Sequence, residues 1–313
     1  MITGVPFFLT VDTEGDNLWN RPSIIKSTNV EQLSRFQNLC NKYNIKPIYL
    51  TNYEAAINKT YIEFVKHNEA NLEIGLHLHA WNSPELYDLT GNDYFFQPYL
   101  HEYPEHIIEN KIDYLVKLLQ DTFQTSIESH RGGRYSINNF ILKTLKKNGL
   151  KVDCSVVPGY DWTQSTGDPQ NKRRLNFTDY SRNKYEIIDD IIEFPVSTYC
   201  PKTILNRMRE GNFMRRGFEK IFNLQKKVLR SNLDNLKDLI KVVEWNLSNK
   251  ATHIEYMIHS SELVQGTSHL IKNNKEKELF YENLERFFIY LKSKEIQSKT
   301  FKEYLFETGK DER

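Results

Sequence analysis

The stretch FFLTVDTEGD, Phe7 to Asp16, organises the reading of this chain. Phe7, Leu9 and Val11 alternate with Phe8, Thr10 and Asp12, which is the two-residue period of a strand. After Val11 the apolar run stops and two acids follow, Asp12 and Glu14, with Gly15 beside them. Residues two apart share a face of extended backbone, so both carboxylates leave the C-terminal end of the strand on the same side. Paired acids there repel unless a cation or an arginine lies between them or one keeps its proton. Taken alone, Asp-x-Glu also suits an acidic strand-to-loop turn.

The chain has 313 residues, enough for one large domain or two ordinary ones. Formal net charge is +1, so no overall field argues for nucleic acid or an acidic membrane. Aromatic residues make up 13%, a share that serves sugar clefts and ordinary cores alike. Cys40, Cys154 and Cys200 are far apart and odd in number, which argues against a disulfide framework or a cysteine zinc site and fits a reducing compartment. No signal-like start and no run of about 18 apolar residues occurs. The expectation is a cytoplasmic protein.

Strand 1 is expected from Val5 to Val11, followed by a loop from Asp12 to Lys26. Val30, Leu33, Phe36 and Cys40 have helical spacing behind a Ser27 or Thr28 cap. Further strands are expected at Pro47–Thr51, Leu72–His79, Ser126–His130, Lys151–Val156, Ile191–Val196 and Thr252–His259. Helices are expected over 53–67, 104–122, 137–148 and 275–293, with a short one at 301–307. Pro104 suits a first helical position and Gly149 a C-terminal cap. Strands alternating with helices through short loops are the pattern of parallel β/α units. About seven such units, without a glycine-rich phosphate fingerprint, favour a barrel over a dinucleotide-binding sheet.

One region departs from this pattern: Lys202 to Asn249 reads as a helical insertion without strands. Its first part carries nine basic residues (Lys202, Arg207, Arg209, Arg215, Arg216, Lys220, Lys226, Lys227, Arg230) against Glu210 and Glu219. Phe218, Ile221, Phe222 and Leu229 can form an apolar stripe. A solvated hairpin packed on the barrel accounts for this, and so does contact with an anionic partner: a membrane surface, a lipid diphosphate or a nucleotide sugar.

Four further stretches carry chemistry. In LEIGLHLHAW, Leu72, Ile74, Leu76 and Leu78 fall on one face, and Gly75, His77 and His79 on the other. Two imidazoles ~6.6 Å apart along a strand can reach one ion. With Glu14 they form two histidines and a carboxylate, a catalytic-type donor set that leaves a position for water and takes zinc by default. In SHRGGRYS, Arg131 leaves the next strand on the same rim, where it can hold Asp12 ionised. DCSVVPGYDW, Asp153 to Trp162, suits either a substrate wall or packing. In YMIHSSELVQG, His259 ends an apolar strand, a position for a general acid or a capping histidine.

Taken in order, TVDTEGD, EIGLHLHAW, SHRGGRY, VDCSVVPGYDW and MIHSSELV resemble the polysaccharide deacetylases, the NodB-homology or carbohydrate esterase 4 family, and most of all their WalW-like branch. The resemblance covers residues 5–266. It implies an α/β fold, a distorted (β/α)7 barrel of NodB-homology type, here one domain over 1–313 with a helical insertion at about 202–249. It also implies a divalent metal, usually Zn2+, and removal of an N-acetyl (less often O-acetyl) group from a sugar. By motif, Asp12 matches the catalytic base, Glu14 the metal-binding acid, His77 the first metal histidine, Arg131 the arginine that orients the base, and His259 the catalytic acid.

Three departures from the family pattern stand out. The family's second histidine lies four residues after the first, and Trp81 stands there. His79 is assigned instead, with His101 and His106 as alternatives. Glu14 replaces the commoner Asp, and Gly132 and Gly133 stand where prolines are frequent. Trp81, Asn82, Arg134, Tyr135, Asp161 and Trp162 are the expected substrate-binding residues, and the loop from Ala80 to Tyr103 is placed to cover the sugar. The expected partner is an acetylated saccharide, nucleotide-linked or lipid-linked, with no nucleic acid and with peripheral membrane contact through the basic insertion. Two other readings stay open at this stage: an allantoinase-like or deformylating C–N hydrolase, and a non-catalytic glycan-binding barrel.

Overall fold

The structure, a computed structural model, describes residues 4–20, 22–163, 175–201 and 224–311. β1 (Phe7–Thr13) is buried throughout. Phe7, Leu9 and Val11 pack toward the helices, while Phe8 belongs to a separate apolar cluster inside the sheet. The strand extends two residues beyond the expected Val11, because Asp12 stays in register with both neighbouring strands and Thr13 with β2. Asp12 is therefore a strand residue.

The chain continues through a 3-10 turn into α1 (Ser34–Lys42), then β2 (Pro47–Thr51). The single helix expected over 53–67 is two, α2 (Tyr53–Ala56) and α3 (Lys59–Asn68). The break falls at Asn58, whose side chain accepts from the Tyr61 N–H and starts a new helix. β3 (Glu73–Leu78) leads into a loop that contains α4 (Asp93–Phe96). α5 (Glu105–Phe123) buries Ile108, Ile112, Leu115 and Leu119, as their spacing predicts. β4 spans Ser129–Gly132 rather than Ser126–His130, so Arg131 lies within the strand instead of leaving it. α6 (Asn139–Lys147) and a short β5 (Val152–Asp153) follow.

β6 (Tyr185–Ile188), which the sequence pattern did not reveal, turns back antiparallel against β7 (Ile191–Glu193). β8 (Thr198–Tyr199) and β9 (Lys227–Val228) form a small antiparallel pair. The expectation of a strandless 202–249 region is thus wrong at β9. Residues 202–223, with Phe218, Ile221, Phe222 and most of the basic run, lie outside the described residues. Leu229, the remaining member of the expected stripe, is buried beside β9. α7 (Leu236–Ser248), β10 (Ile254–His259), α8 (Asn274–Ser293) and α9 (Phe301–Asp311) complete the chain.

The main sheet has the order β10-β1-β2-β3-β4-β5-β7-β6, parallel except for β6. It is a curled half-barrel wrapped by helices, and its edge strands do not pair with each other. Backbone from the segments around β8 and β9 bridges the gap. The Ser197 N–H donates to Glu255 O at 3.1 Å, the Leu229 N–H to Ser197 O at 2.8 Å, and the Met257 N–H to Leu229 O at 3.2 Å.

The N-terminal end of the barrel is plugged by apolar rings. Phe8 packs on Phe301, Phe194 and Tyr304, with centroids 4.6, 5.1 and 5.7 Å away. Filling one end leaves only the C-terminal rim open, where parallel β/α folds place their chemistry. Phe8→Ala removes the central ring of this plug and is expected to cost about 3–5 kcal/mol, read by chemical denaturation; a loss under about 1 kcal/mol would show that the plug collapses to fill the space.

Candidate active site

Parallel register brings the acting side chains to one level of the rim. Asp12 stands opposite His259 across β1 and β10, and His77 opposite Arg131 across β3 and β4. Glu14 follows β1, and His79 lies one residue past β3. All six are buried or nearly so.

Glu14, His77 and His79 converge. His79 Nε2 lies 2.9 Å from Glu14 Oε2 and 3.0 Å from His77 Nε2, and His77 Nε2 is 3.5 Å from Glu14 Oε2. Donor atoms bound to one tetrahedral zinc at about 2.0–2.1 Å would lie roughly 3.3–3.4 Å apart, so the set fits a divalent ion. The His77 Nδ1–H donates to Arg131 O at 2.8 Å, which leaves Nε2 with its lone pair toward the cluster. His79 Nδ1 is buried without a hydrogen-bond partner among the described residues. His101 and His106 stand elsewhere. His101 Nδ1 bonds the Ser136 hydroxyl at 2.9 Å, and His106 is exposed beside Tyr87.

The position of His79 depends on Gly133. A Cβ at residue 133 would lie 2.5 Å from Leu78 O and 3.1 Å from His79 Cγ and Nδ1. The absence of a side chain at Gly133 therefore leaves clearance for the His79 ring. Trp81 packs edge-on against the His79 ring at 4.5 Å.

Arg131 is wholly buried beneath this cluster. Its NH1 donates to Asp12 Oδ1 at 2.7 Å, its Nε to Cys154 O at 2.9 Å, and its NH2 to Glu255. Burial works against a charged Asp12, but Arg131, with His77 and His259, outweighs it and holds the carboxyl below its usual range. Burial likewise opposes Glu14, and His259, His77 and His79 bring it well below. Glu255 is pushed up, by burial above all.

His259 points Nε2 between the acids, 3.8 Å from Asp12 Oδ2 and 3.8 Å from Glu14 Oε1. Behind it, Arg230 donates to His259 Nδ1 at 2.9 Å and to Glu262, whose other oxygen is 3.3 Å from the same Nδ1. Burial opposes ionisation of Glu262, and Arg230 with His259 still brings it down to about 2.

The cleft above is lined by Asp12, Glu14, His77, His79 and His259, with Trp81, Tyr94, Arg134, Tyr135 and Arg230 around its mouth. Trp81 stacks on Tyr94 at 4.4 Å, and Tyr135 on Trp162 at 4.9 Å, so two parallel aromatic pairs flank the opening. Three expected substrate residues do not line it: Asn82, Asp161 and Trp162, the last of which stacks on Tyr135. Asn82 turns to donate to Glu54, and Asp161 is exposed and accepts from the Thr163 N–H at 2.8 Å. Asp153 pairs with His130 at 2.6 Å, so that part of DCSVV is packing.

Three contributors escaped the sequence reading as site residues: Glu255, Glu262 and Arg230, the last named only within the basic run, whereas Tyr94 belongs to the loop expected to cover the sugar. Glu255 was the most findable, an acid inside an apolar strand on the His259 face. Glu262 follows His259 at a one-turn spacing. Arg230 reaches the site from the insertion, and nothing local marks it.

No family model matches the sequence, and no curated protein does. Among solved structures, a Mycobacterium smegmatis protein provisionally designated a polysaccharide deacetylase aligns at TM-score 0.57 and 10% identity, covering 100% of this chain and 93% of its own. The Xyl-CE4 domain of a multidomain xylanase from the hindgut metagenome of Trinervitermes trinervoides aligns at 0.44 and 10%, covering 98% and 92%. A Bordetella bronchiseptica protein, provisionally a polysaccharide deacetylase involved in O-antigen biosynthesis, aligns at 0.34 and 13%, covering 60% and 56%. At these identities the likeness is one of fold, and it rests on the first. The chain has the NodB-type distorted-barrel fold of the polysaccharide deacetylases.

Gly133→Ala is expected to displace His79 and weaken zinc binding at least tenfold, measured by competition with a chromogenic chelator. Gly91→Ala, where a Cβ meets nothing within 4 Å, is the control. Equal zinc affinity in both would show that His79 has no part in holding the ion.

Proposed function

We propose that this protein is a metal-dependent deacetylase that removes an N-acetyl group from a sugar or glycan intermediate of surface-polysaccharide biosynthesis. The observation that supports this most is the convergence of Glu14, His77 and His79 beside an Arg131-bound Asp12 and a His259 whose Nε2 lies 3.8 Å from both acids. The reading takes residues 1–313 as one barrel domain working in the cytoplasm on a nucleotide-linked or lipid-linked saccharide. Free, buried Cys40, Cys154 and Cys200 agree with a reducing compartment.

Glu14, His77 and His79 would hold the divalent ion, zinc being the usual choice for two imidazoles and a carboxylate. Such an ion, when bound, supplies a polarised carbonyl and an acidified water. Asp12 is the base. Arg131 engages Oδ1, and Oδ2 lies 3.8 Å from His259 Nε2 on the neighbouring strand, placed to take a proton from the attacking water. Because Arg131 keeps the carboxylate ionised and oriented, Asp12 is unprotonated at neutral pH, as a base must be.

His259 is the acid that protonates the departing amine. While Arg230 donates to Nδ1, that nitrogen presents a lone pair and Nε2 carries the hydrogen. In the imidazolium form Nδ1–H needs an acceptor, and Glu262 Oε2 is in place. Arg230 and Glu262 are therefore positioning residues for His259. A backbone N–H near Arg134 would face the developing oxyanion. The stacked pairs Trp81–Tyr94 and Tyr135–Trp162 offer flat walls for a sugar ring.

Asp12→Asn is expected to keep its zinc and lower acetate release from N-acetylated sugars by about 10²–10⁴. His77→Ala is expected to lose both zinc and activity. Metal analysis beside an acetate-release assay separates the two effects, and an Asp12→Asn protein of full activity would remove Asp12 from its role.

A further inference from the structure

Two guanidinium groups line the cleft, and their situations differ. Arg230 is bound to Glu262 and His259. Arg134 has no hydrogen-bond or ion-pair partner among the described residues. Its guanidinium lies between two aromatic rings, 5.7 Å from the Trp81 centroid and 5.9 Å from that of Tyr99. It is half-buried, so part of its hydration is already lost. A cation in that setting, with its in-plane N–H donors unused, is prepared for an acceptor that the described residues do not supply.

The backbone strengthens the case. Arg134 and Tyr135 both adopt left-handed conformations, at φ 54° and 59°. Glycine is the low-cost residue there, and two consecutive side chains in that region carry strain. A large cation nevertheless occupies one of the strained positions and projects into the cleft.

We propose that Arg134 forms an anion subsite and that the saccharide carries an anionic oxygen group, a carboxylate or a phosphate, close to the acetylated sugar. This rests on the deacetylase reading and narrows its substrate class. A sugar whose acetyl group reaches Glu14, His77 and His79 lies against Trp81, and Arg134 stands over the same ring. The anion would therefore sit on that sugar or on the next group along. A guanidinium can engage either oxyanion with two parallel hydrogen bonds.

The test is calorimetric binding to the zinc-loaded Asp12→Asn protein, so that turnover does not interfere. The probes are N-acetylglucosamine, its 1-phosphate and N-acetylglucosaminuronic acid. At least one anionic probe is expected to bind about 10- to 100-fold more tightly than the neutral sugar. Arg134→Gln added to that protein should reduce the preference to within about threefold, as should Arg134→Gly, which also relieves the backbone. Preference for the 1-phosphate alone identifies a phosphate-linked donor, and preference for the uronic acid alone a carboxylated sugar. Equal binding of all three, or a preference that survives both substitutions, would overturn the anion subsite. Acetate release by the unsubstituted enzyme, assayed in parallel, keeps the two ideas apart. Release from neutral and anionic sugars at the same kcat/KM defeats the subsite and spares the deacetylase reading. Arg134-dependent binding without release does the reverse.

Discussion

The Arg131 guanidinium is the interaction on which the interior of this barrel depends. It is wholly buried, yet it touches β1 through Asp12, the end of β5 through Cys154 O, and β10 through Glu255. A buried ion pair is poor evidence of net stability, but removing one partner strands the other at a cost of about 3–5 kcal/mol. Asp12, Arg131 and Glu255 thus form a unit whose members require one another. Thr10 adds a hydrogen bond from its hydroxyl to Glu255 Oε1 at 2.5 Å. The arrangement explains how a strand that is apolar at its start can end in charge without unravelling.

The rest of the site is layered on that unit. The open rim holds a metal-type donor set on one wall and a histidine with its own support on the other. Glu54, beside Asn82, marks the outer edge of this charged region. Burial pushes it up to about 7, and one of its oxygens is buried without a partner. Two described cations of the insertion are tied to the barrel: Lys226 donates to Gly159 O at 2.7 Å, and Arg230 binds Glu262. Lys227 instead pairs with Asp238 at 3.0 Å, within the insertion. Through Arg230 the insertion also reaches His259 and so borders the cleft.

Much of this was legible in the sequence because periodicity and register are local. Alternation in FFLTVDT and EIGLHLHAW fixes which side chains face inward, and parallel pairing then aligns the strand ends. That is why Asp12, Glu14, His77, His79, Arg131 and His259 could be named together in advance. Errors gathered where short-range signals are weak: strand boundaries, a two-residue strand in the insertion, and the outward turns of Asn82 and Asp161. A hydrogen bond from Asn82 to Glu54 is a tertiary fact, and no spacing announces it.

By itself, the sequence determined the strand faces, the donor types and the end of the barrel at which they emerge, since each follows from neighbours a few residues apart. Only the tertiary structure decided the third member of the histidine–carboxylate cluster. His79 reaches Glu14 because Gly133, just past β4, leaves room for its ring. It likewise decided the company of His259, because Arg230 arrives from 29 residues away. Clearance and contact between distant segments depend on the packed backbone, whose positions are set by the whole chain.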